Sequence, residues 1–115
     1  MSDRILIRGL VVSATIGVPD LERAAPQRIE IDLVLEGDFR DLRDDVARTT
    51  DYASVAEWVR VRSAGSQYRL LETLAEDLAS GVLAEFPHIS AVAVEVRKFI
   101  LPAAESVGVA VRRER

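Results

Sequence analysis

A chain of 115 residues, 49% of them apolar, has material for one domain with a modest core and too little for two, so residues 1–115 are expected to fold as a unit. A net charge of −4 and a pI near 5.0 exclude the basic face of a nucleic-acid module. The absence of cysteine excludes a disulfide scaffold, a thiolate metal site and a cysteine nucleophile, and the single histidine, His88 beside Pro87, reads as a solvated loop residue. No apolar run approaches the roughly 18 residues of a membrane span, and Met1-Ser2-Asp3-Arg4 does not lead into a signal peptide. The expectation is a cytoplasmic protein with no nucleic-acid or membrane partner.

From Arg4 to Gly17 the β-branched content predicts a strand, with Gly9 as a candidate bulge and Val18-Pro19-Asp20 as its stop. After a polar connection, Gln27 to Asp38 predicts a second strand, because Ile29, Ile31, Leu33 and Leu35 alternate with mostly charged residues. Two long strands around a polar loop predict an antiparallel pair. Phe39 to Asp51 is charged and irregular. Ser54-Val55-Ala56-Glu57 fits a capping box and predicts a helix to about Ser63, interrupted by Gly65-Ser66. Leu70, Leu71, Leu74, Ala75, Leu78, Val82 and Leu83 predict a second, more strongly apolar helix. Ala91 to Lys98 and Ser106 to Arg112 alternate again as strands, the terminal Arg112, Arg113 and Arg115 reading as a solvated strand end. The order β-β-α-α-β-β predicts an α+β fold: a four-stranded antiparallel sheet with both helices on one face. Its other face, rich in small and polar residues, is suited to line a barrel made by several subunits.

A few residues break these patterns. Lys98 continues the apolar row of Val92, Val94 and Val96, which suits either a snorkelling stem or a partly desolvated ammonium fit for proton transfer. Glu72 sits in the first turn of the second helix, which suits either ordinary pairing with the helix dipole or acceptance of two N–H donors from a planar ligand. Tyr52 precedes the first helix, and Glu22 lies in the first loop, where both are otherwise unremarkable.

These residues also stand in a recognisable order. Ile16-Gly17-Val18-Pro19-Asp20-Leu21-Glu22, Gln27-Arg28-Ile29, Asp44-Asp45-Val46, Thr50-Asp51-Tyr52, Tyr68-Arg69-Leu70-Leu71-Glu72-Thr73-Leu74-Ala75-Glu76, Val96-Arg97-Lys98 and Ser106-Val107-Gly108-Val109 together resemble the dihydroneopterin aldolase family over nearly the whole chain. The resemblance implies the tunnelling fold, with subunits assembled into a barrel-shaped ring, a homotetramer or a stacked homo-octamer with active sites between neighbours. It implies a pterin substrate, 7,8-dihydroneopterin, cleaved by a retro-aldol reaction to 6-hydroxymethyl-7,8-dihydropterin and glycolaldehyde, with no metal, no other cofactor and no Schiff base. By the same resemblance Lys98, Tyr52 and Glu22 are catalytic, and Glu72, with backbone groups of Leu71 and Asp51, holds the pterin. Tyr52 would serve a site whose Glu72 and Lys98 come from the adjacent chain. Two other readings use the same pocket: epimerisation at the 2′ carbon of dihydroneopterin or its triphosphate, and pterin binding without catalysis. Pro19 and the run Phe99-Ile100-Leu101-Pro102 depart from the common family pattern and bear on the ligand-facing loops.

Overall fold

The protein is described by a computed structural model covering residues 2–115. Its regular elements are β1 (Asp3–Ile16), β2 (Gln27–Gly37), α1 (Tyr52–Ala64), β3 (Gln67–Tyr68), α2 (Leu71–Glu85), β4 (Ala91–Lys98) and β5 (Val107–Glu114). The sheet order is β3-β1-β2-β4-β5, antiparallel throughout except for the parallel β1–β3 pair.

The expected four-strand sheet is therefore corrected to five. The added strand is two residues long, Gln67 and Tyr68 pairing with Thr15 and Ile16. A segment that short carries no readable alternation, and its pairing is supplied by the strand it docks against.

Gly9 marks a bulge, as its place in the sequence suggested. The pairing of β1 with β2 slips between Ile7 and Leu10, and Gly9 has φ +68°, a conformation that favours glycine. The slip has a purpose in packing. Ile5 and Ile7 face the core before it, and Leu10, Val12, Ala14 and Ile16 face the core after it, so one extra residue keeps both halves of a long strand in phase. The bulge N–H is donated to Asp32 Oδ1 at 2.7 Å, so the unpaired backbone group finds a partner.

The helix-facing side of the sheet carries the core: Ile29, Ile31, Leu33 and Leu35 of β2 and Val92, Val94 and Val96 of β4, packed against Val55 and Val59 of α1 and Leu74, Leu78 and Val82 of α2. Leu71 begins the apolar stripe of α2, whereas Leu70 is its half-exposed N-cap and lies outside it. Trp58 of α1 lies over Gly81 of α2, where a Cβ would stand 2.1 Å from the ring, so the helices approach closely at that point.

The start of α1 also differs from the expected capping box. Asp51 is the N-cap and accepts from Ala53 N at 3.0 Å, while Ser54 lies inside the helix and donates its hydroxyl to Asp51 Oδ2. Glu57 pairs with Arg60 instead of reaching back. Both candidates are good N-cap residues, and the aspartate wins because the chain turns helical three residues earlier.

The uncovered sheet face bears charges that answer one another. Arg97 bridges Asp32, Glu95 and Glu30, and Arg112 bridges Glu36 and Glu114. Half-exposed Leu6 and Val11 stand on this same face. The terminal arginines are thus tied down: Arg113 pairs with Glu76, and Arg115 donates to the carbonyls of Phe86 and Ile89.

Candidate active site

The C-terminal ends of β1 and β4 and the N-terminal ends of β2, β5 and α2 meet at one end of the sheet. The strand register requires it: Ala14 stands opposite Gln27, Glu30 opposite Arg97, and Lys98 opposite Val107, while Tyr68, just before α2, pairs with Ile16.

Lys98 closes β4 at this end, on the core-facing side. Its Nζ donates to Glu22 Oε2 at 2.8 Å, and the two side chains are each only 12% exposed. Glu22 stands in a short 3-10 turn, Glu22–Ala24, at the end of the loop that follows β1. The Lys98 ammonium holds the Glu22 carboxyl below its ordinary range, and hydrogen bonding from Gln27 and the nearby Arg23 charge act in the same direction against the effect of burial.

That loop is built around the carboxylate. Arg23 donates to the carbonyls of Gly17 at 2.6 Å and Val18 at 2.8 Å and pairs with Asp20, which ties the turn shut. Gly17 has φ +149°, and a Cβ there would lie 2.3 Å from the carboxyl carbon of Glu22. Gln27 donates its amide N–H groups to Ile16 O at 2.8 Å and to Glu22 Oε2 at 3.1 Å. In the sequence Gly17 and Gln27 stand out only as members of short motifs. Their role depends on a contact between loop and strand that no spacing announces.

Glu72 is exposed in the first turn of α2 and shares a shallow, open depression with Tyr68, Thr73, Glu76 and Asp77. Leu71 opens the helix and is buried at 7% exposure. The N-cap Leu70 offers no side-chain acceptor, and the first helical bond runs from Leu74 N to Leu70 O. The amides of the first turn therefore keep donors that no capping side chain takes, beside the Glu72 carboxylate.

Behind them, Tyr68 donates its hydroxyl to Asp77 Oδ2 at 2.6 Å, and Arg62 of α1 grips the same carboxylate through two contacts of 2.9 and 2.8 Å. Burial and the Asp77 charge push the Tyr68 phenol up to about 12. This triad ties α1, β3 and α2 together and fixes the start of α2.

Tyr52 and Asp51 lie elsewhere. They begin α1, whose last residues lead into β3 at the Lys98 end, so a helix of 13 residues separates them from that end, about 20 Å along its axis. The neighbouring Thr50 lines a small recess with Ile5, Leu35 and Ile89, at the opposite end of the β1–β2 pair. Tyr52 is 64% exposed there. The Asp51 side chain is engaged as the cap of α1 by Ala53 and Ser54. The fold thus gathers Lys98, Glu22, Leu71 and Glu72 at one end of the chain and leaves Tyr52 and Asp51 at the other.

Known proteins share this fold. A family model described as dihydroneopterin aldolase matches residues 5–112. A dihydroneopterin aldolase of Methylorubrum extorquens is 39% identical over 100 residues, 85% of this chain and 77% of that protein. The structure of Escherichia coli dihydroneopterin aldolase in complex with neopterin superposes with a TM-score of 0.91 at 34% identity, covering 96% of this chain and 98% of that one. That of a dihydroneopterin aldolase from Burkholderia thailendensis bound to guanine superposes with a TM-score of 0.82 at 27% identity, covering 99% and 92%. With the match running through both halves of the fold and across the Glu22, Glu72 and Lys98 segments, the chain belongs to the dihydroneopterin aldolase family.

Proposed function

We propose that the protein cleaves 7,8-dihydroneopterin by a retro-aldol reaction to 6-hydroxymethyl-7,8-dihydropterin and glycolaldehyde, a step of folate biosynthesis. The observation that carries this reading is the Lys98–Glu22 pair at 2.8 Å, set at the same end of the fold as Glu72 and the uncapped start of α2. A proton-transfer group and a pterin anchor are the two things the reaction requires of the protein.

The pterin is bound first. Neopterin and guanine, the ligands of the two solved relatives, present the same edge: a ring N–H and an exocyclic amine beside a carbonyl. A carboxylate accepts from both N–H groups at once, and backbone amides donate to the carbonyl. Glu72 takes the first role, the Leu71 backbone the second, and the Asp51 backbone of a neighbouring chain adds to the ring contacts.

Chemistry follows at the side chain. Lys98, acting as the free amine, takes the 2′ hydroxyl proton through a water and becomes the ammonium, the bond between C1′ and C2′ breaks, and glycolaldehyde departs. The bonding pair passes from C1′ through C6 to N5, so the pterin ring itself accepts the electrons. A proton delivered to C1′ with the help of Tyr52 completes the hydroxymethyl product. Glu22 keeps the lysine aimed at the hydroxyl.

In this reading residues 1–115 act as a single domain in a closed ring of subunits, a tetramer or a stacked octamer, and each site draws Tyr52 from one chain and Lys98 and Glu72 from the next. The single chain supports this by keeping Tyr52 about 20 Å from the lysine.

The test is product analysis after incubation with 7,8-dihydroneopterin. Hydroxymethyl-dihydropterin with an equal amount of glycolaldehyde is the expected outcome. Formation of the 2′ epimer alone would reassign the site to epimerisation, and tight pterin binding without turnover would make the chain a binding protein.

A further inference from the structure

The Lys98–Glu22 pair is held from behind by Gln27, the first residue of β2. One amide nitrogen, Nε2, serves two acceptors, Ile16 O at 2.8 Å and Glu22 Oε2 at 3.1 Å. Ile16 ends β1 and is fully buried, so its carbonyl is a fixed point. Gln27 carries that rigidity to the Glu22 carboxylate. The oxygen that Gln27 touches, Oε2, is the one that receives Lys98.

We propose that Gln27 is a positioning residue for the Lys98–Glu22 pair: its amide pins the Glu22 carboxylate in the orientation that meets Lys98. This rests on the retro-aldol reading for its kinetic consequence and on geometry alone for its electrostatic one.

Groups from three elements face Glu22. Lys98 approaches from β4, Arg23 from its own turn, and Gln27 from β2; Gly17 packs against it and offers no charge. Two cations and one neutral donor thus surround a carboxylate that is largely removed from water. Arg23 spends its hydrogen bonds on the Gly17 and Val18 carbonyls and on Asp20, so it adds charge without direction. Gln27 is the neutral group that supplies direction. A glutamine suits the position because its N–H donors are independent of pH and add no charge to compete with Lys98. Without it, Glu22 keeps the lysine but gains freedom to rotate about its terminal bonds, and its protonated form becomes less unfavourable.

The sign follows. Hydrogen bonding to the ionised form lowers a carboxyl pKa, so removing the donor raises it. Stability and activity that need ionised Glu22 are present above its pKa and fade as the pH falls through it. Loss of Gln27 moves that acid limb to higher pH.

The experiment uses Gln27→Met, which keeps the chain length and removes the donor, and Gln27→Asn as a variant that keeps the donor on a shorter stem. The Glu22 carboxyl is titrated by carbon-13 NMR in the full-length protein, and the pH profile of dihydroneopterin cleavage is measured alongside. Gln27→Met is expected to raise the Glu22 midpoint, move the acid limb of kcat in the same direction, and lower kcat about tenfold with KM nearly unchanged, the scale of one hydrogen bond to a charged group. Gln27→Asn is expected to recover part of the Glu22 midpoint. An unchanged Glu22 midpoint in folded Gln27→Met overturns the proposal. So does a loss of activity that tracks unfolded protein with no movement of the acid limb. Should the wild-type protein fail to turn over dihydroneopterin, the retro-aldol reading falls, and the NMR titration still decides the role of Gln27.

Discussion

Lys98 and Glu22 each keep a charged group at 12% exposure, and such a pair is costly to break because either survivor is left a charge without its partner. Lys98→Ala is expected to lower kcat by about 10³-fold, within the span of general acid–base contributions, with a modest change in KM, as steady-state assays would read. Glu72 is exposed and outside the core, so its removal should act on binding. Glu72→Ala is expected to weaken neopterin binding by about 100-fold in calorimetry, the scale of two charge-assisted hydrogen bonds, with the melting temperature nearly unchanged. Gly17 has its identity dictated by close packing. A methyl group there meets the Glu22 carboxyl group at 2.3 Å on a backbone at φ +149°. Gly17→Ala is expected to cost about 1–3 kcal/mol in chemical denaturation and to lower kcat together with the displaced carboxylate. Wild-type stability and activity in that variant would contradict the close packing of the loop on Glu22.

At the scale of elements, the Arg62–Asp77–Tyr68 triad decides where α2 begins, and so where Glu72 stands. Tyr68 is buried, and its phenol is raised to about 12 by burial and by the Asp77 carboxylate. A raised folded pKa means that the neutral phenol is favoured in the native state. The associated stability is fully present below the unfolded value near 10 and is lost as the pH rises through about 12. Urea denaturation between pH 8 and about 12 is therefore expected to show a loss on the order of 2–3 kcal/mol that is absent from Tyr68→Phe. The elements were unevenly legible. The alternation in β2 and β4 and the stripe of α2 announced themselves, because burial on one face imposes a period. The two-residue β3 and the cap of α1 did not: one is too short for a period, and the other is a competition between Asp51 and Ser54 that the sequence poses without resolving.

The whole molecule is extended for its length. Its radius of gyration is 15.0 Å, against about 13 Å for a compact chain of this size. The molecule is 50 Å along its longest axis, and its longest strand, β1, has 14 residues. Helices cover one sheet face and leave the other to paired charges and to half-exposed Leu6 and Val11. A ring of subunits would enclose that face and bring Tyr52 of one chain to Lys98 of the next. Complementation tests this arrangement. Tyr52→Phe and Lys98→Ala proteins, each inactive or nearly so, are unfolded, mixed in equal amounts and refolded. Random assembly is expected to restore activity at about a quarter of the sites, because each restored site takes one intact residue from each type of chain. No recovery in mixed assemblies would mean that the two residues do not act in a shared site between chains.

The sequence by itself determined the order of the four long strands and the two helices, the bulge at Gly9 and the core-facing rows of β2, β4 and α2. All of these follow from periodicities and local motifs that each segment carries within itself. Only the tertiary structure decided that Lys98 meets Glu22, that Gln27 and Gly17 shape that meeting, and that Tyr52 stands at the far end of α1 from both. Those relations join residues as much as 76 positions apart through strand register and helix length, and register is set by how whole faces pack rather than by any residue's immediate neighbours.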